Sequence, residues 1–140
     1  MRLSLGYPAR AAERELLRGH DRRDLLEHLK PVLSPIELAH LQQAVASVHT
    51  ADPVLEYLQN LIEATRSGKW FVQGLSPRAA LAVVRAAKAQ AFMNARDYVA
   101  PDDIAAVLPQ TTAHRLVPVS NAGRGSLEQV RAMVKAIPLP

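Results

Sequence analysis

An all-α domain, a compact bundle of about six to eight helices, is what this sequence predicts, and three observations carry the prediction. A residue at a helix-capping position followed by proline recurs at Ser34-Pro35, Asp52-Pro53, Ser76-Pro77 and Ala100-Pro101. Helices commonly start this way, because the N–H that proline lacks would be unpaired in the first turn anyway. Apolar residues then return every three or four positions, as in Ile36, Leu38, Leu41, Val45 and Val48, or Val54, Leu55, Leu58, Leu61 and Ile62. Finally, hydrophobic residues make up 49% of the chain but aromatic ones only 4%, so the core must be built of Leu, Val, Ile and Ala, which suits close-packed helices. β-favouring residues are confined to Trp70-Phe71-Val72 and Asp97-Tyr98-Val99. They allow at most a tiny two-stranded parallel pairing near 70–73 and 97–99, with the intervening helix as its crossover.

The 140 residues fit one domain, long enough to bury roughly 68% of the unfolded surface without a staple. Residues 1–7 alternate apolar and polar and read as an extended lead-in ending at Gly6-Tyr7-Pro8. A helix follows from Pro8 to about Arg18, closed by Gly19, and a short one spans Asp21 to Leu29, halted by Pro31. Ser34-Pro35-Ile36-Glu37 is a capping box, and Asp52-Pro53 repeats the device for a helix reaching about Arg66 and stopping at Ser67-Gly68. One buried stripe on each of these two helices predicts an antiparallel pair. The longest helical run goes from Ser76 to Ala95, with Ser76 as cap and Pro77 in the first turn. Pro101-Asp102-Asp103-Ile104 opens another helix, expected to end near Leu108-Pro109, with both aspartates explained by the helix start and a further turn over 110–115. Leu116 to Val119 reads as extended, 120–125 as a loop, and Ser126 with Gln129 as the cap of a last helix to Ala136.

Several chemistries are excluded by what the chain contains. No cysteine means no disulfide, thiolate metal site or cysteine nucleophile. The five histidines form no metal-binding spacing, and no serine has a nucleophile context. Neither phosphate-binding glycine motif, Gly-x-x-x-x-Gly-Lys-Ser/Thr or Gly-x-Gly-x-x-Gly, occurs. No apolar run approaches the roughly 18 residues of a membrane span, so a soluble, cytoplasmic protein without a membrane partner is expected. A net charge of +4 raises nucleic acid as a partner, but the arginines are scattered beside acids, as in Asp21-Arg22-Arg23-Asp24, which argues against such a surface. One residue keeps a sharper reading. Arg78 falls in the first turn of the longest helix, at the positive end of its dipole, where an anion rather than a cation is favoured. With Arg85 and Arg96 it lies within ~20° of one line on a helical wheel, opposite Ala80, Val83, Val84, Ala87 and Ala91. Chance, a solvated basic stripe or part of an anion site all fit that placement.

Gly74-Leu75-Ser76-Pro77-Arg78-Ala79, Arg85-Ala86-Ala87-Lys88-Ala89, Arg96-Asp97-Tyr98-Val99-Ala100-Pro101-Asp102-Asp103-Ile104 and His114-Arg115-Leu116 together resemble the C-terminal lid of MoxR-type AAA+ ATPases. Leu5-Gly6-Tyr7-Pro8 and the run from Leu33 to His49 fit the same family, so the resemblance extends to about Val119. It departs at Ala100, where the family usually has a capping Thr, and at 120–125. The resemblance implies that residues 1–140 are the helical lid and that 1–7 lead in from an ATP-binding domain absent here, so that the chain is a fragment. Arg78 would be the sensor-2 arginine acting on ATP bound by that domain, and Tyr7 and Pro8 would lie near the adenine. ATP and Mg2+ would be cofactors of the full-length ATPase, with none tightly held and no turnover by this piece alone. Implied partners are the upstream AAA+ core, neighbouring subunits of a hexameric ring, and a protein with a von Willebrand factor A domain. The implied work is chaperone-like remodelling or metal-cofactor insertion. Against it stands a basic helical module that binds nucleic acid or protein.

Overall fold

Six α-helices appear in the computed structural model, which describes residues 1–19, 26, 28–119 and 126–139. They are α1 (Arg10–Arg18), α2 (Pro35–Ser47), α3 (Asp52–Arg66), α4 (Pro77–Met93), α5 (Pro101–Thr112) and α6 (Ser126–Ala136), and a 3-10 turn at Ala113–Arg115 follows α5. The expected short helix from Asp21 and the expected loop 120–125 fall largely or wholly outside the described residues. No helix among the described residues is long and apolar enough to cross a membrane.

α4 lies at the centre, packed on α5 and α2, while α5 also meets α6 and α3 meets both α5 and α6. Ala79, Val83, Ala87 and Ala91 recur every fourth residue on its buried face. Small side chains there let the α5 backbone approach closely. α3 supplies a complementary stripe of Val54, Tyr57, Leu58, Leu61 and Ile62, and Phe71, Ile104, Leu108, Val130 and Met133 fill the space between.

The expected antiparallel pair of α2 and α3 is not what forms. α2 packs against α4, and none of its residues is buried: Ile36 is 70% exposed and Leu38 48%. Helical spacing identifies an apolar face but not what covers it, and the described residues leave this one open. α1 likewise has no buried residue and leaves Leu17 exposed.

The two β-favouring pieces also find partners other than each other. Phe71 bridges Pro118 in antiparallel sense, with Val72 N–H donating to Val117 O at 2.9 Å, and Tyr98 bridges His49 in parallel. Propensity marks a segment as extended, whereas the partner is chosen by which connection lies alongside after the helices pack.

Helix ends follow local chemistry. The capping box at Ser34 forms as the sequence predicts, with Ser34 N–H donating to Glu37 Oε2 and Glu37 N–H to Ser34 Oγ. Asp52 instead occupies the first helical position behind Ala51, where it complements the dipole without capping. α1 begins at Arg10, two residues after Pro8, and Gly19 closes it with extended rather than left-handed backbone. Ser126 does not cap α6; its hydroxyl donates to Leu116 O at 2.9 Å. α5 runs through Pro109 to Thr112, past its expected end. The ring removes one backbone hydrogen bond, but burial of Val107, Leu108, Pro109, Thr111 and Thr112 holds the last turn in helical form.

α4 ends in a six-to-one turn: Arg96 N–H donates to Ala91 O and Ala95 N–H to Phe92 O, with Ala95 at φ 54°. That left-handed position favours glycine. Ala95→Gly is therefore expected to stabilise the fold by about 1 kcal/mol, read from the urea unfolding midpoint.

Candidate functional site

The start of α4 is where an exposed cation and a rigid support coincide. Ser76 caps the helix, accepting from Ala79 N–H, and Pro77 and Arg78 occupy its first two positions. No acidic residue lies in that first turn. Arg78 is exposed, and neither its side chain nor its backbone N–H has a partner among the described residues. A planar guanidinium beside a free N–H at the positive end of a helix suits an anion with several oxygens.

The support comes from the last turn of α3. Thr65 is fully buried; its hydroxyl donates to Ile62 O at 2.6 Å and accepts from Leu75 N–H at 3.0 Å. Arg66 sends both Nε and Nη2 to Leu75 O, at 3.0 and 2.8 Å. Both backbone polar groups of Leu75 are thus held by consecutive residues, while its side chain enters the core at 3% exposure. Gly74 passes so close that an added Cβ would stand 2.8 Å from Arg66 Cα and closer still to Arg66 Cγ. Backbone on one side of that contact cannot swing away. Gly74→Ala is expected to cost about 2 kcal/mol by forcing the two segments apart, measurable by urea unfolding.

At the other end of α4, Arg96 and Asp103 form a fork-to-fork ion pair, with Nη1 to Oδ2 at 2.7 Å and Nη2 to Oδ1 at 2.6 Å. Asp103 Oδ2 also accepts from Ala100 N–H at 2.8 Å, half of a capping box whose other half Ala100 has no oxygen to make. The Arg96 hydrogen bonds, assisted by the Ala100 N–H, hold the Asp103 carboxyl below the usual carboxylate range against the opposing effect of burial. This corrects two expectations. Asp103 is more than a helix-start residue, and Arg96 leaves the expected arginine line because α4 stops at Met93 before it. Arg78 and Arg85 remain exposed on α4, so no three-arginine stripe forms.

Tyr7 and Pro8 make no hydrogen bond or ion pair with Arg78. Tyr7 is fully exposed ahead of α1, and the lead-in touches the bundle through Arg2 N–H donating to Gln110 O at 2.8 Å. A cavity of about 640 Å³ opens there, lined in part by Arg2, Gln110, His114 and Arg131. His114 is exposed, and slight desolvation, then the charges of Arg115 and Arg2 among others, lower its pKa. That cavity does not include Arg78. Thr65 and Arg66 were not among the residues singled out from sequence. Their only signal is a last-turn arginine facing a segment that contains a glycine.

Comparison with known proteins shows the family of the chain. The AAA lid domain family model matches residues 63–137, more than half of the chain, which spans α4, α5, α6 and the end of α3. The chain belongs to the AAA lid domain family. It is a lid of MoxR type: over most of its length it aligns with proteins of that name. It is 31% identical over 125 residues to Chaperone MoxR1 of Mycobacterium tuberculosis, covering 83% of this chain and 33% of that protein. Protein MoxR of Methylorubrum extorquens is 32% identical over 151 residues, 92% of this chain and 44% of its own. The Bacillus subtilis protein YeaC, itself uncharacterised, is 32% identical over 142 residues, 99% of this chain and 44% of its own. The chain thus spans less than half the length of these relatives. A crystal structure of a Cytophaga hutchinsonii protein, provisionally named an ATPase, superposes with a TM-score of 0.75 over 97% of this chain and 45% of that one. At 24% identity it shows the shared fold.

Proposed function

We propose that this lid closes the nucleotide site of a MoxR-type AAA+ ATPase and that Arg78 is its sensor-2 arginine, reaching the γ-phosphate of ATP held by a preceding domain. The observation that carries the reading is the unpartnered Arg78 in the first turn of α4, beside a free N–H and on a braced segment. Its fork donates two N–H groups to phosphate oxygens and offsets negative charge that develops as the phosphoryl group leaves. A guanidinium is charged at all working pH values, so this contribution needs no proton transfer.

The residues at this end of α4 fit a phosphate and do not fit Mg2+. The first turn has no carboxylate, and no group of three potential metal ligands occurs among the described residues. Mg2+, which supplies charge neutralisation between the phosphates, would be held by the preceding domain. Tyr7 and Pro8, at the entry to the lid, are proposed to lie near the adenine. The exposed apolar faces of α1 and α2 would be covered by that domain or by the next subunit of a hexameric ring. Remodelling or cofactor insertion together with a von Willebrand factor A domain protein completes the reading; the name of the mycobacterial relative, a chaperone, supports its chaperone-like part alone.

The test is ATP hydrolysis by the ATPase that carries this lid, wild type against Arg78→Ala. Loss of turnover with the fold intact is the expected result. Wild-type turnover in the variant would return Arg78 to an ordinary surface cation.

A further inference from the structure

We infer that Thr65 and Arg66 are positioning residues for Arg78, setting the direction in which the first turn of α4 presents its guanidinium. The inference rests on the reading of Arg78 above.

Three contacts motivate it. Arg66 commits two N–H donors to the single carbonyl of Leu75 and has no ion-pair partner among the described residues. A last-turn arginine of this exposure would ordinarily be solvated, so a forked grip on one backbone oxygen fixes geometry more than charge. Thr65 completes the grip from inside, its buried hydroxyl tied at once to its own helix and to Leu75 N–H. Gly74 then allows the α3 and α4 segments to touch at backbone distance, which leaves the strap no slack. Leu75 is one residue before the cap and three before Arg78, so few freely rotating bonds separate the held peptide from the guanidinium's Cα. The segment between α3 and α4 belongs to no helix, and this clamp is what gives its last residues a fixed path.

A merely structural strap would change stability alone, whereas a positioning one changes kcat through Arg78. The experiment is a double-mutant cycle in the full-length ATPase, with Arg66→Lys, Thr65→Val, Thr65→Ser and Arg78→Ala, measuring kcat and KM for ATP. Lysine keeps the charge of Arg66 but not the fork; valine keeps the shape of Thr65 but not the hydroxyl.

The expected result is that Arg66→Lys and Thr65→Val each lower kcat about tenfold, with KM changed less than about twofold, because misplacing a positioned group weakens the transition state more than binding. Thr65→Ser should restore turnover, and combining Arg66→Lys with Arg78→Ala should fall no lower than Arg78→Ala alone. Amide exchange in the same variants should quicken at Ala79 and Ala80 while Val83 and Leu108 keep their protection, separating a local loosening from unfolding.

Wild-type kcat in Arg66→Lys and Thr65→Val overturns the inference. So do losses that multiply in full with that of Arg78→Ala. In either case a loss in Arg78→Ala alone leaves the sensor reading standing. If Arg78→Ala itself turns over ATP normally, both fall together.

Discussion

Arg78→Ala is expected to lower ATP turnover of the parent ATPase by about a hundredfold, the usual consequence of removing one preorganised donor from developing negative charge. Arg78→Lys should recover only part of the loss, since an ammonium keeps the charge but cannot make two parallel hydrogen bonds. Arg78→Ala should leave the lid's stability unchanged to within about 0.5 kcal/mol. The side chain is exposed and unpartnered, and removing a cation from the positive end of a helix is if anything mildly favourable. Turnover and thermal unfolding measured on the same preparations check both halves. A large fall in unfolding temperature would mean that the residue has a structural role the contacts do not reveal.

Asp103→Ala should have the opposite profile, a loss of stability of about 3 kcal/mol with the lid's exposed surface unaltered. Asp103 is 3% exposed and accepts three short hydrogen bonds, two from Arg96 and one from Ala100 N–H. Its removal leaves a half-buried guanidinium and a cap N–H without their acceptor. For a chain of this size that corresponds to roughly 10 °C in the unfolding midpoint at pH 7. The pH dependence follows from the lowered folded-state pKa of Asp103. A depressed carboxylate contributes stability that is fully present above the ordinary carboxylate value of the unfolded chain. That contribution is lost as pH falls through the lower folded value. Wild type should therefore lose stability on acidification over that window, and Asp103→Ala should lose less. Thermal unfolding across pH 3 to 7 distinguishes them; parallel acid limbs would assign the loss to other carboxylates.

What the sequence made legible were the features written in neighbouring residues. The Ser34 capping box, the Ser76-Pro77 start of α4 and the end of α6 at Ala136 all depend on residues within a turn of one another, and all stand as expected. Arg78 could be singled out for the same reason, since its place relative to Ser76 and Pro77 fixes it in the first turn. Features that depend on distant partners were not legible. Phe71 and Tyr98 are extended as their composition predicts, but Pro118 and His49 were chosen for them by packing. Arg96 would share a helical-wheel line with Arg78 and Arg85 if the helix continued, but the turn at Ala95 breaks it, and its carboxylate partner sits in the next helix. Thr65 and Arg66 carried no spacing that points to Leu75, because the strap is formed by chain reversal rather than by periodicity.

The Arg96–Asp103 pair has a mechanical consequence for the far end of its helix. At 1.5 Å per residue, the 17 residues of α4 make a rod of about 25 Å, with Arg78 near one end and the ion pair just past the other. A tilt of about 1° about the ion-paired end displaces the opposite end by about 0.4 Å, comparable to the tolerance of a directed hydrogen bond. Fixing the heel of the rod to α5, together with the buried face of Ala79, Val83, Ala87 and Ala91 along its length, restrains the tilt of its tip. A salt bridge a full helix away from Arg78 thus shares in holding the direction of the turn that carries it.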